Sequence, residues 1–246
     1  MSLTYVRLEI TRTFRNTRFV LFAIAFPVLL FLLQAGLFAK SGAPEHDAVA
    51  AALMVNMMAF GTISGAMSVG GRLAVERAAG WQRQLRLTPL TGPGYLGGKA
   101  ISGMLVALPA LILVPLVGTL FQGVHLGPGA WLHIVLGTWL GAIPFVLLGL
   151  LLGQFGTVDS MQPVNMLVTM VMGFLGGLWI PIDGMPAWMH TVAEALPSYW
   201  LIQVARGAVT QDRTASLATA AGVLAIFAAV FGAAMIRRYR KDSARV

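Results

Sequence analysis

Six apolar runs of about twenty residues or more occupy most of this 246-residue chain, at about 19–39, 48–70, 100–121, 131–153, 161–181 and 216–236. A bilayer hydrocarbon core about 30 Å thick is crossed by roughly 20 apolar residues in a helix, and lipid offers no partner for an unpaired backbone amide. A transmembrane barrel would show alternating segments of roughly 10 residues, whereas these runs are continuous. The composition agrees: 57% of residues are hydrophobic, 11% are charged, and the mean hydropathy is +0.79. The sequence therefore predicts an all-α polytopic membrane protein with six transmembrane helices in one integral domain, 1–246. The basic flank of the first run fits a signal peptide, but the run exceeds the usual core of about 7 to 15 residues and reads as a retained span.

Basic residues set the expected orientation. Arg7, Arg12, Arg15 and Arg18 precede the first run; Arg72, Arg77, Arg83, Arg86 and Lys99 follow the second; Arg237, Arg238, Arg240, Lys241 and Arg245 follow the sixth. These are fourteen of the seventeen basic residues, all on one face of a six-span chain. The other face carries Lys40, Arg206 and Arg213 against five acids, Glu45, Asp47, Asp183, Glu194 and Asp212. Both termini and the 72–99 loop are thus expected in the cytoplasm, with the chain in the cell membrane. The net charge of +8 is accounted for by this asymmetry and by attraction to anionic lipid headgroups. No basic domain stands apart from the membrane to bind nucleic acid.

Three segments are too polar or too broken to span. Residues 2–17 place Leu3, Val6, Ile10 and Phe14 on one face among basic residues, the pattern of an interfacial helix. Residues 72–87 read as an amphipathic cytoplasmic helix: Ala74, Ala78, Trp81 and Leu85 form one stripe, with Arg72, Glu76 and Arg83 opposite and exposed. The Pro- and Gly-rich stretch 88–99 reads as a flexible return to the third span. On the other side, 182–215 holds the apolar sequence MPAWMHTVAEALPSYWLIQV, divided by Pro197 into halves too short to cross. That predicts an external re-entrant helix pair.

Catalytic and metal chemistry find little support. GPGYLGGKA at 92–100 fails the phosphate-loop spacing, because Pro93 stands where the first glycine is needed and Ala100 where Ser or Thr is needed. His46, His125, His133 and His190 show no paired ligand spacing, and the absence of cysteine excludes disulfides and thiolate chemistry. Ser64 misses the GxSxG arrangement by one position. The chain is therefore read as non-catalytic, with no metal and no cofactor of its own. Ionisable side chains are nearly missing from the spans. Asn56 and Asn165 are the most costly polar groups there, and each needs a partner or a wet cavity. Gly61/Gly65, Gly137/Gly141, Gly149/Gly153 and Gly173/Gly177 permit close helix packing, and Pro109, Pro115 and Pro144 mark kinks.

Two segments in their topological order resemble the membrane permease subunits of ATP-binding-cassette (ABC) exporters of the type-2 family, which includes drug, lipid and polysaccharide exporters. One is Glu76-Arg77, Gly80, Leu85, Thr88-Pro89-Leu90 and Lys99; the other is Gly176-Gly177-Leu-Trp-Ile-Pro181, Met185-Pro186, Trp188, Pro197 and Arg206-Gly207. Arg15-Asn-Thr-Arg18 before the first span, with Pro27 inside it, also fits. The chain departs from the family where Ala78 and Ala79 follow the glutamate in place of charged residues.

The resemblance implies a permease that pairs with a second permease copy, identical or different, and docks on a separate ABC ATPase subunit. ATP and magnesium would be held by that partner. Arg72, Glu76, Arg77, Arg83 and Arg86 would form the ATPase-coupling set. Spans 2 and 5 would line the substrate pathway, with Asn56, Phe60, Thr169, Met170 and Phe174 as candidates. Pro181, Trp188, Pro197 and Tyr199 would belong to the external gate. Such a complex would export a hydrophobic or amphiphilic compound, drug-, lipid- or glycan-like, by alternating access. The competing reading is a secondary transporter or channel that needs no ATPase.

Overall fold

The computed structural model describes residues 8, 11, 15, 17–39, 46–81, 84, 91–179, 185–207, 209 and 216–243, with 17–24 and 242–243 described by backbone alone. The described residues form helices and their connections, with no strand among them. In chain order the helices are α1 Thr17–Phe38, α2 His46–Met67, α3 Val69–Ala78, α4 Gly92–Gln122, α5 Pro128–Gly141, α6 Ile143–Gly153, α7 Val158–Leu175, α8 Ala187–Glu194, α9 Pro197–Arg206 and α10 Leu217–Ser243. Four stretches are long and apolar enough to cross a membrane: His46–Ala78, Gly92–Gln122, Pro128–Gly153 and Leu217–Lys241. The other two expected spans correspond to α1 and the 18-residue α7. The expected interfacial helix at 2–17 lies largely outside the described residues.

α2 is the central helix. Fifteen of its residues are buried, from Ala50 to Met67, and it packs on α1, α4, α6, α7 and α9. In lipid, apolar surface gains little by leaving the solvent, so helices associate through close van der Waals packing and polar contacts. Small residues supply the closeness here. A Cβ on Gly61 would lie 2.6 Å from that of Ala110 on α4 and 2.9 Å from Cγ of Pro27 on α1. The span 128–153 is broken at Ala142, with Pro144 beginning α6, as the expected kink requires.

A turn at Ser68 divides α2 from α3, where the Ser68 hydroxyl donates to Gly65 O at 2.7 Å. At this turn two backbones touch: a Cβ on Gly149 of α6 would meet Met67 O at 2.6 Å, and Gly70 and Gly153 face each other's helix just as closely. The Gly149/Gly153 pair expected from the sequence to permit close packing serves the α2–α3 to α6 contact.

The structure corrects the 72–99 segment in two ways. First, the helix begins at Val69 and ends at Ala78, because Gly80 takes φ +68, a left-handed conformation that terminates helices. Second, Gly92–Lys99 is no flexible return but the first two turns of α4. Thr91 caps it by accepting from Gly94 N at 3.3 Å, and Pro93 sits in the first turn, where a missing amide costs nothing.

Candidate functional site

At the end of the bundle that carries most of the described basic residues, α3 lies between the start of α4 and the end of α6. Its consecutive residues Glu76 and Arg77 reach to opposite neighbours. Tyr95 and Lys99 are four residues apart on α4 and therefore share a face. That face meets Glu76. Lys99 Nζ donates to Glu76 Oε1 at 2.5 Å, and the Tyr95 hydroxyl donates to Oε2 at 2.7 Å. The side chains of Lys99 and Glu76 are 0% and 5% exposed, so this ion pair is sealed from solvent. A carboxylate and an ammonium with so little water are tolerated only as a hydrogen-bonded pair. Lys99 Nζ also stands 5.8 Å from the centre of the Tyr95 ring.

Arg77 turns the other way. Its Nη1 donates to Gly153 O at 3.1 Å and to Gln154 O. These carbonyls end α6, where helical partners are lacking and the helix dipole is negative, so a guanidinium fits both needs. The same loop is held to α10: Gln154 Nε2 donates to Met235 O at 3.2 Å, and the Arg238 guanidinium lies 4.7 Å from the Phe155 ring centre. Tyr239 of α10 closes the circuit, 6.4 Å from the Tyr95 ring and against Gly92. The site thus links α3, α4, α6 and α10 at one end of the molecule.

This geometry corrects the expected faces of the 72–87 segment. Glu76, expected on the exposed side, is buried; Ala74 is buried as expected, but Ala78 and Trp81 of the same stripe are exposed. Arg72 and Arg77 are half-buried. Arg83 and Arg86 lie outside the described residues, as does Leu85. Among the described residues, the outward edge includes instead Val75, Ala78, Ala79 and Trp81, with Val75 43% and Trp81 40% exposed. Lys99 and Tyr95 were not among the expected coupling residues. The available signal was Thr91-Gly-Pro93, a helix-start pattern that puts Tyr95 and Lys99 in phase.

The expected pathway residues separate into two groups. Asn56 is 2% exposed and accepts from Arg206 Nε at 3.0 Å, so it has the interhelical partner its burial demands. Phe60 is packed between Phe26 and Trp179, at 5.9 and 5.1 Å between ring centres. Thr169 is buried, its hydroxyl 3.9 Å from Met67 Sδ. Met170 and Phe174, in contrast, lie on an outward face of α7 with Met166, Leu167 and Val171. The five do not line one open surface within this chain.

At the opposite end, Pro197 begins α9 as a buried residue, Tyr199 is half-buried edge-on to Trp200 at 5.2 Å, and Trp188 is exposed. Pro181 lies outside the described residues. Trp200 Nε1 donates to Glu194 O at 2.7 Å and so caps α8. α9 runs antiparallel to α5, with Leu201 against Gly141, Val204 against Gly137, and His133 Nε2 bonded to Val204 O at 3.0 Å. Gly141 lies midway along the 128–153 stretch, so the start of α9 packs against the middle of that stretch and its end against the Gly137 side. His46 and His190 likewise bond backbone carbonyls, Gln122 O at 3.3 Å and Met185 O at 3.2 Å.

Comparison with known proteins adds two findings. The family model described as "ABC-2 type transporter" matches residues 3–210. A protein named "Putative transport permease YvfS", from Bacillus subtilis (strain 168), is 29% identical over 192 residues, which is 78% of this chain and 78% of that protein.

Proposed function

The chain belongs to the ABC-2 type transporter family, and from that premise we propose that it is the permease subunit of an exporter energised by a separate ABC ATPase. The single observation that carries the reading is the tie of α3 to two other helices at its basic end, α4 through Glu76–Lys99 and Glu76–Tyr95 and α6 through Arg77. A partner pressing on the exposed edge Val75–Ala78–Trp81 would move α4 and α6 together with α3, because a sealed ion pair is costly to break. Arg83 and Arg86, outside the described residues, stay in the proposed coupling set, while Glu76 and Arg77 act from within by positioning the edge. The positive-inside distribution supports a cytoplasmic location for this end and for both termini.

The six-span topology, with α1 and α7 crossing alongside the four longer spans, belongs to the same reading. So does pairing with a second permease copy, for which the outward apolar faces of α1 (Phe26, Leu29, Leu33) and α7 (Met166, Met170, Phe174) offer surface. The α7 face is the one we assign to the substrate path; its methionines adapt to varied apolar shapes, which suits a hydrophobic or amphiphilic cargo. ATP and magnesium reside on the partner.

Reconstitution tests the reading. Proteoliposomes holding the permease with its co-purified ATPase should move solute only with ATP, and Val75→Asp/Trp81→Ala should abolish that transport while leaving membrane insertion intact. Solute movement by the permease alone, without any ATPase, would instead favour the secondary transporter or channel.

A further inference from the structure

Arg206 is an ionisable residue placed where few are found. It is the last residue of α9, and it reaches Asn56, which lies ten residues from the start of α2 and therefore about 15 Å along that helix. That depth is within a hydrocarbon core of about 30 Å, where a charged side chain is expensive and marks function more often than packing. Its direction follows from the backbone. Helical side chains lean toward the helix N-terminus, and the N-terminus of α9 is its deep end, so Arg206 points inward to Asn56. Yet Arg206 is half-buried and sits beside the outer connection, so the same long side chain can also swing up and place its guanidinium at the interface.

We propose that Arg206 is a latch: engaged with Asn56 it holds the re-entrant helix α9 against the central helix α2 and closes the outer side, and withdrawn to the interface it lets the two part. This rests on reading α8–α9 as an external lid. The two positions give the element its bistability, since the charge has a polar partner in either one. Around the contact, Ala59 and Phe60 of α2 share an apolar cluster with Leu201, Ile202 and Val204 of α9, so separation of the helices would open that cluster first.

The chain has no cysteine, so single reporters can be introduced into an otherwise unmodified protein. Two are placed in intact cells and treated with a membrane-impermeant maleimide. Ala59→Cys is fully buried beside the latch, and Trp188→Cys is at a position 64% exposed on α8. Trp188→Cys should label from outside in every background. Ala59→Cys should label slowly in the native background, about tenfold faster or more with Arg206→Gln, and more slowly still with Asn56→Asp, which converts the bond to an ion pair. Opposite shifts from the two partners are what a latch requires and what a loss of packing cannot produce. Equal labelling in all three backgrounds, or shifts of the same sign, would overturn the latch. Failure of Trp188→Cys to label from outside would overturn the lid reading itself.

Discussion

Lys99→Met is expected to leave little folded protein in the membrane, although methionine is apolar and close in length. The reason is what remains. The Glu76 carboxylate would lose the Lys99 ammonium in a place with almost no solvent, while keeping the Tyr95 hydroxyl. Removing one partner of a buried ion pair costs about 3–5 kcal/mol, against a total stability on the order of 5–15 kcal/mol. Glu76→Gln/Lys99→Met should recover most of the loss, because an uncharged amide can still accept from Tyr95 and neither charge of the Glu76–Lys99 pair is left without the other. Yield of monodisperse protein and thermal unfolding in detergent provide the four corners of a double-mutant cycle. A single variant as stable as the native chain would show that the pair is not sealed. The double variant then offers a second use: a permease that folds without the tie between α3 and α4, in which ATP hydrolysis and transport should become uncoupled.

The second large effect concerns backbone contact. Gly149→Val would place a Cβ 2.6 Å from Met67 O and 2.8 Å from Met67 Cα, both main-chain atoms that cannot rotate away. The end of α2 would have to shift from α6, and overpacking of this kind costs about 1–3 kcal/mol, more where the backbone itself must move. Gly222→Val on α10 is the control, since no atom lies within 4 Å of its Cβ position. A melting temperature well below native for Gly149→Val and near native for Gly222→Val is the expected pair of results. Equal melting temperatures would mean that α6 does not abut the α2–α3 turn.

Much of the architecture was legible because its causes are local. Runs of apolar residues named the long helices, Pro144 marked the break between α5 and α6, and Pro197 marked the division between α8 and α9. The cost of burying an amide called for a partner for Asn56, though not which one. The error at 72–87 has two physical sources. A helical wheel holds its phase only while the helix continues, and Gly80 ends it, so Trp81 cannot be assigned to a face set by Ala74 and Ala78. A wheel also assumes one buried side, whereas α3 is enclosed by α4 on one flank and α6 on another. Glu76 could enter the interior only because Lys99, 23 residues later, supplies the opposite charge. That is tertiary information, and a glycine-rich stretch around a lysine concealed it by resembling a loop.

The reading of Arg77 changes for the same reason. As one charge in a basic loop it looked available to a partner, yet it completes the hydrogen bonding at the end of α6. On the proposed reading, the edge that α3 offers to an ATPase is more apolar than the charge pattern implied, and Glu76 and Arg77 behind it serve to hold it in place.

Photo-crosslinking from position 81 tests the central claim most directly. A diazirine amino acid replacing Trp81, in the complex purified with its ATPase, should give an adduct containing the ATPase chain, and the same probe replacing Trp188 should give none. An ATPase adduct from position 188, or none from position 81 in a complex that still contains the ATPase, would contradict docking at the end of α3.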